Sequence, residues 1–228
     1  MSTLPRFTRE EIPTEEIDRI EAAHQPLVDA ARELVDAIIR TTVADEDLAA
    51  ATESIRAATD LLRARQLDGP AGVHFNNAGR SWNWGNAVVG QRNAVAPPLI
   101  VRHCDDLVRG EAYLAAAYEG PPGLVHGGVT ALLLDHFMGE TASARRRLTM
   151  TGTLTIRYQK GIRLGPVTLE GEIVREEGRK VFVSARVADT DGISVVADGV
   201  FIRPSWAAST PGRINHWDVP EPAEEPAR

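Results

Sequence analysis

One aspartate stands in the middle of an apolar run, and it is the residue here best placed to do chemistry. From Val129 to Met138 nearly every side chain is apolar except Asp135 and His136. A buried carboxylate is costly unless it is paired or used. Two readings stay open for Asp135: a carboxylate held in an apolar cleft for catalysis, or one on a wet helix edge pairing with an arginine. The run is preceded by His126-Gly127-Gly128. Amides at a helix start have no intrahelical partner, and a helix N-terminus carries partial positive charge. Without side chains, Gly127 and Gly128 let a ligand approach the backbone. Such a place suits a carbonyl oxygen becoming negative, although the glycines alone would also suit a tight loop-to-helix entry.

Geometry links the two features. Gly127 and Asp135 lie eight residues apart, or ~12 Å along one helix. A carbonyl held at Gly127 therefore cannot touch Asp135 of the same chain. If both act on one group, they come from two copies, which predicts a homodimer with its site at the interface.

The elements that position these residues follow from periodicity. One apolar helix is expected over roughly His126–Ala144, and its all-round apolarity predicts burial on every side. Strands are expected at Leu99–His103, Glu111–Tyr118, Met150–Gln159, Val167–Arg175, Lys180–Ala188 and Ile193–Arg203, with Glu177-Gly178 and Asp191-Gly192 as hairpin turns. The natural picture is a sheet wrapped around the helix. Residues 14–67 carry two amphipathic stripes joined by Thr41–Asp47, an αα-hairpin, with Pro26 expected to kink or restart the first helix. The expected division is a helical hairpin over 1–67, an irregular linker over 68–97, the sheet-and-helix unit over 98–204, and a loosely ordered tail over 205–228.

Composition narrows the function classes. Hydrophobic residues are 43% and charged residues 25%, with a net charge of −7, which fits a soluble globular chain and disfavours nucleic acid as a partner. Residues 1–67 alone carry a net charge of −6, so a DNA-reading helix pair is a poor fit there. No stretch approaches the ~18 apolar residues of a membrane span. The single cysteine, Cys104, excludes an intrachain disulfide, and the cytoplasm is the expected compartment. The histidines at 24, 74, 103, 126, 136 and 216 show no zinc-ligand spacing, so no metal is expected. His136, next to Asp135, points about 100° away from it on a helix and is expected to be packed.

The run Glu119-Gly120-Pro121-Pro122-Gly123-Leu124-Val125-His126-Gly127-Gly128, followed by Asp135 and by Thr151–Tyr158, resembles the PaaI-type hotdog thioesterases. It is most similar to mammalian thioesterase superfamily members with a Gly-Pro-Pro-Gly-x-x-His-Gly-Gly motif. The resemblance covers about residues 98–204. It implies an α+β hotdog fold, here with an added N-terminal helical hairpin. It also implies homodimers or dimers of dimers, and hydrolysis of acyl-CoA to free acid and CoA as part of fatty acid metabolism. No cofactor is implied, CoA being part of the substrate. Carried over by position, the helix-start amide falls on Gly127, the catalytic carboxylate on Asp135 and its supporting hydroxyl on Thr151. His126 is the motif histidine that orients the loop. Where some relatives carry Asn or Gln, this chain has Gly120.

On that basis Asp135 acts as general base or as nucleophile. Gly128 joins the substrate contacts, and Arg145, Lys160, Arg179 and Lys180 are candidates for the CoA phosphates. Two rivals are a silent acyl-CoA-binding hotdog module and an enoyl-CoA hydratase. The Gly127/Asp135 pair argues against the first. The closeness of His136 to Asp135 argues against the second.

Overall fold

The computed structural model describes residues 7–104, 107–144 and 148–205. Arg145 and residues 206–228, most of the expected tail, lie outside them.

The sheet is antiparallel and six-stranded. Its strands are β4 (Ile100–Cys104), β5 (Leu107–Leu114), β6 (Met150–Tyr158), β7 (Gly165–Glu177), β8 (Lys180–Asp189) and β9 (Gly192–Ile202), in the order β4-β5-β7-β8-β9-β6. Alternation along β7 to β9 puts Val167, Leu169, Val181, Val183, Val187, Val195 and Ala197 into the core, as a period of two requires. The helix α3 (Gly127–Ala142) lies against that face, with Leu133, Leu134, Phe137 and Met138 fully buried. Sheet glycines make room for it. A Cβ at Gly171 would come within 2.9 Å of the Phe137 ring, and one at Gly110 within 3.1 Å.

Two expectations about this unit need correction. The segment expected as strand Glu111–Tyr118 is instead the end of β5 and a 3-10 turn at Ala116–Tyr118. And α3 is not buried on every side: Asp135 is exposed and Leu132 is 40% exposed. Beside that open face runs β6, an edge strand exposed along most of its length. A sheet with one unpaired edge next to an open helix face leaves backbone donors and apolar surface without partners in one chain.

The N-terminal region differs more. The helices α1 (Thr14–Arg40) and α2 (Asp45–Arg63) form as expected, and Pro26 lies inside α1 without restarting it. Proline removes one backbone donor, and the 27-residue helix runs on past the missing bond. α2 has no buried residue, so its apolar stripe stays on the surface. The expected irregular linker contains β2 (Val73–Phe75) and β3 (Ser81–Trp82), which form a small sheet with β1 (Phe7–Arg9) in the order β1-β2-β3. Phe75, Asn76, Trp82 and Val88 are buried there. Asn76 donates to the Ile12 carbonyl at 3.0 Å and to Thr14 Oγ1 at 3.1 Å, tying this segment to the start of α1.

Candidate active site

The loop before α3 is built by its own turn chemistry. The Leu124 amide donates to the Pro121 carbonyl at 2.9 Å, and Gly123 has φ +74°. Proline and then a left-handed glycine at the two central positions define a type II turn. The Glu119 carboxylate accepts from the Gly123 amide at 2.7 Å and closes the loop. Gly120 has a spatial reason: a Cβ there would stand 2.7 Å from His126 Cα. No Asn or Gln fits at this position without moving the motif histidine.

His126 caps α3. Its Nδ1 accepts from the Gly128 amide at 2.9 Å, which leaves Nε2 as the protonated nitrogen of the neutral ring. The Gly128 amide is thereby used inside the chain. The Gly127 amide has no hydrogen-bond partner among the described residues. The Gly127 carbonyl accepts from the Tyr158 hydroxyl at 2.8 Å, which pins the helix start to β6. In the sequence Tyr158 stands only as the end of the Thr151–Tyr158 motif. Its aromatic end facing a glycine was not legible without the helix–strand register.

Two turns and more further along α3, Asp135 Oδ1 accepts from the Thr151 hydroxyl at 2.8 Å. Core-facing residues of β6 are Leu154 and Ile156, and Tyr158 keeps that parity. Thr151 breaks it, because a bulge between Thr151 and Thr153 adds one residue to the strand. A bulge re-aims the side chain beside it, and here it turns Thr151 toward α3. The structure thus brings Asp135 to Thr151, and Gly127 to His126 and Tyr158. The two groups stay at separate stations along α3, eight residues apart.

The cation candidates fall into different settings. Lys160 Nζ donates to the Asp191 carbonyl at 2.7 Å and sits 3.8 Å from Asp189. Arg179 makes a long contact of 3.5 Å to the Arg203 carbonyl. Lys180 is exposed and has no side-chain partner among the described residues. Lys180 pairs across β9 with Ile202, which pairs with Met150, so it stands at the Thr151 end of the sheet. No group of three or more His, Cys, Asp or Glu among the described residues is arranged to hold a metal ion. No helix among them is long and apolar enough to cross a membrane.

The thioesterase superfamily model matches residues 122–196, which hold the whole constellation. The acyl-coenzyme A thioesterase THEM4 of Xenopus laevis is 36% identical over 88 residues, 37% of this chain and 40% of that protein. THEM4 of Rattus norvegicus is 39% identical over 74 residues, 32% of each. The matched stretch therefore spans less than half the length of these relatives. A solved structure, the thioesterase superfamily protein RHA08564, superposes with a TM-score of 0.71 at 30% identity, over 88% of this chain and 98% of that one. That likeness reaches beyond the sheet and α3, and the chain belongs to the thioesterase superfamily.

Proposed function

We propose that the protein hydrolyses acyl-CoA to a free carboxylic acid and CoA, at a site built by two copies of the chain. The observation that carries this reading is the separation of an unpartnered amide, Gly127, from an exposed carboxylate, Asp135, on one helix flanked by an unpaired edge strand. Two such chains joined along β6 would cover the open face of α3 and satisfy the edge donors.

The thioester carbonyl accepts from the Gly127 amide of one copy, where the helix dipole favours the developing oxyanion. Asp135 of the other copy takes a proton from water, and the resulting hydroxide adds to the carbonyl carbon. Alternatively the carboxylate adds directly, and water later opens the anhydride. In both routes the C–S bond breaks and the CoA thiolate takes up a proton. The Thr151 hydrogen bond fixes one carboxylate oxygen and leaves the other for the reaction. Lys180 and Arg179 are the described cations best placed for CoA phosphates at that end of the sheet. The family membership and the relatives named acyl-coenzyme A thioesterases support this reading.

The test is thiol release from short, medium, long and aryl acyl-CoAs. Wild type is assayed beside Asp135→Ala, Gly127→Pro and the two variants co-expressed. Gly127→Pro removes the amide at a first-helical-turn position that tolerates proline, and His126 already has the extended backbone required before one (φ −61°, ψ 131°). Each variant alone is expected to be inactive. Their mixture is expected to recover up to about a quarter of wild-type activity, since each mixed dimer keeps one intact site. No recovery places both residues in one chain's site. No turnover by wild type with any acyl-CoA leaves a binding module.

A further inference from the structure

We propose that a second cavity, on the other side of α3 from Asp135, binds an uncharged, mainly apolar molecule or group that ends in a hydroxyl, with Glu140 as the residue that receives the hydroxyl. The cavity has a volume of about 1000 Å³ and lies between α1, the 73–101 segment and the last turns of α3. Known ligand cavities span ~300–1000 Å³. Asp135 and Glu140 are five residues apart, hence about 140° apart around the helix. The Asp135 face meets β6, one edge of the sheet, whereas the cavity is walled by β4, the opposite edge.

Its walls are apolar at Trp82, Val89, Pro98, Leu99 and Val101. Its cations are already neutralised. Arg80 holds Glu21 at 2.5 Å and Asp18 at 3.4 Å, and Arg32 holds Asp29 at 3.3 Å. Each arginine among the described lining residues thus faces a carboxylate, and among their nitrogens shielded from solvent only Arg32 Nε lacks a hydrogen-bond partner.

Glu140 is different. Its carboxyl lies 3.8 Å from His136 Nε2 and 4.0 Å from His103 Nε2, beyond hydrogen-bond reach of both. Its side chain is 30% exposed, and the surface it exposes lines the cavity. His136 Nε2 is shielded from solvent and has no partner. Burial pushes the Glu140 carboxyl up and both imidazoles down, so the trio favours its uncharged forms. A half-buried carboxyl with no group in hydrogen-bond reach gains from acquiring one. A hydroxyl suits it in either state: it donates to the carboxylate or accepts from the carboxyl. Two sources have this chemistry, namely an acyl group with a hydroxyl at its far end, and a free alcohol. The first rests on the activity proposed above.

The test is calorimetric titration of the full chain at neutral pH with 1-hexanol, 1-chlorohexane and hexylamine. One saturable site per chain is expected for 1-hexanol, with about tenfold weaker binding of 1-chlorohexane. Glu140→Leu is expected to erase that preference while keeping the apolar binding, a result that loss of structure would not produce. Val101→Trp, which fills the cavity from β4, is expected to abolish binding of both. The proposal is overturned by no saturable binding of 1-hexanol, by an unchanged preference in Glu140→Leu, or by tighter binding of hexylamine. Competition of 1-hexanol with hexanoyl-CoA in thiol release assigns the site to the acyl group. Binding without competition assigns it to a free molecule. Failure of the thiol assay leaves the calorimetric result standing.

Discussion

Thr151 and Tyr158 stand seven residues apart on one strand, yet both side chains bond to the same helix. An odd separation in regular strand would send them to opposite faces. The bulge at Gly152 changes the parity, so Tyr158 reaches the Gly127 carbonyl and Thr151 reaches Asp135. A one-residue irregularity therefore lets one strand hold both stations of α3.

Deleting Gly152 should restore regular pleating with Thr151 two positions from Leu154, so Thr151 stays on the α3 face without a bulge. Thiol release is expected to stay within about threefold of wild type and the chain to stay folded, because regular pleating keeps Thr151 beside Asp135. Assay and thermal melt on the same preparation check this. A loss of about tenfold or more would show that the bulge does more than set the face of Thr151.

Asp135→Asn is expected to lower turnover by at least ~100-fold, within the range of lost acid–base catalysis. Thr151→Ala should cost about tenfold. The double variant should be no slower than Asp135→Asn, since Thr151 acts through the carboxylate. Asp135 is exposed in the single chain, so each variant is expected to stay folded. Additive losses in the double variant would separate the two residues.

Gly120→Ala brings a Cβ to 2.7 Å from backbone at His126. The neighbour is not a movable side-chain end, so overpacking should cost about 1–3 kcal/mol. Chemical denaturation measures it. Turnover should fall too, because His126 caps the helix start. A neutral substitution would remove the steric account of this glycine.

Glu140 makes a pH prediction. Burial holds its carboxyl above the ordinary range in the folded chain. The associated stability is full below the unfolded carboxyl pKa of about 4.3 and is lost as pH rises through the folded value. Glu140→Gln cannot ionise. Its melting temperature should match wild type near pH 4 and exceed it increasingly toward pH 7. A constant offset across that range would count against a perturbed carboxyl.

The parts of the fold with long periodic signals were legible. The apolar run of α3 and the alternation of β6 to β9 each span enough residues for a period to emerge, and the structure has them within a few residues. Asp135 and Gly127 stood out because each is unusual for its place. The strands β1, β2 and β3 have three, three and two residues, too few to carry a period, and partners far along the chain define them. The exposure of one side of α3 was missed because a run apolar all round gives no direction. Glu140 drew no notice, since only the tertiary meeting of α3 with β4 and α1 places it at a cavity.

The parallel pairing of β1 with β2, Phe7 against Val73 through Arg9 against Phe75, has a consequence for the helices between them. Parallel neighbours need a long crossover, and α1 and α2 are that crossover. Both ends of the excursion are stitched together at strand spacing. The helical arm is therefore a closed loop hung from a clasp, able to grow, shrink or be exchanged while the clasp keeps the remaining chain in place.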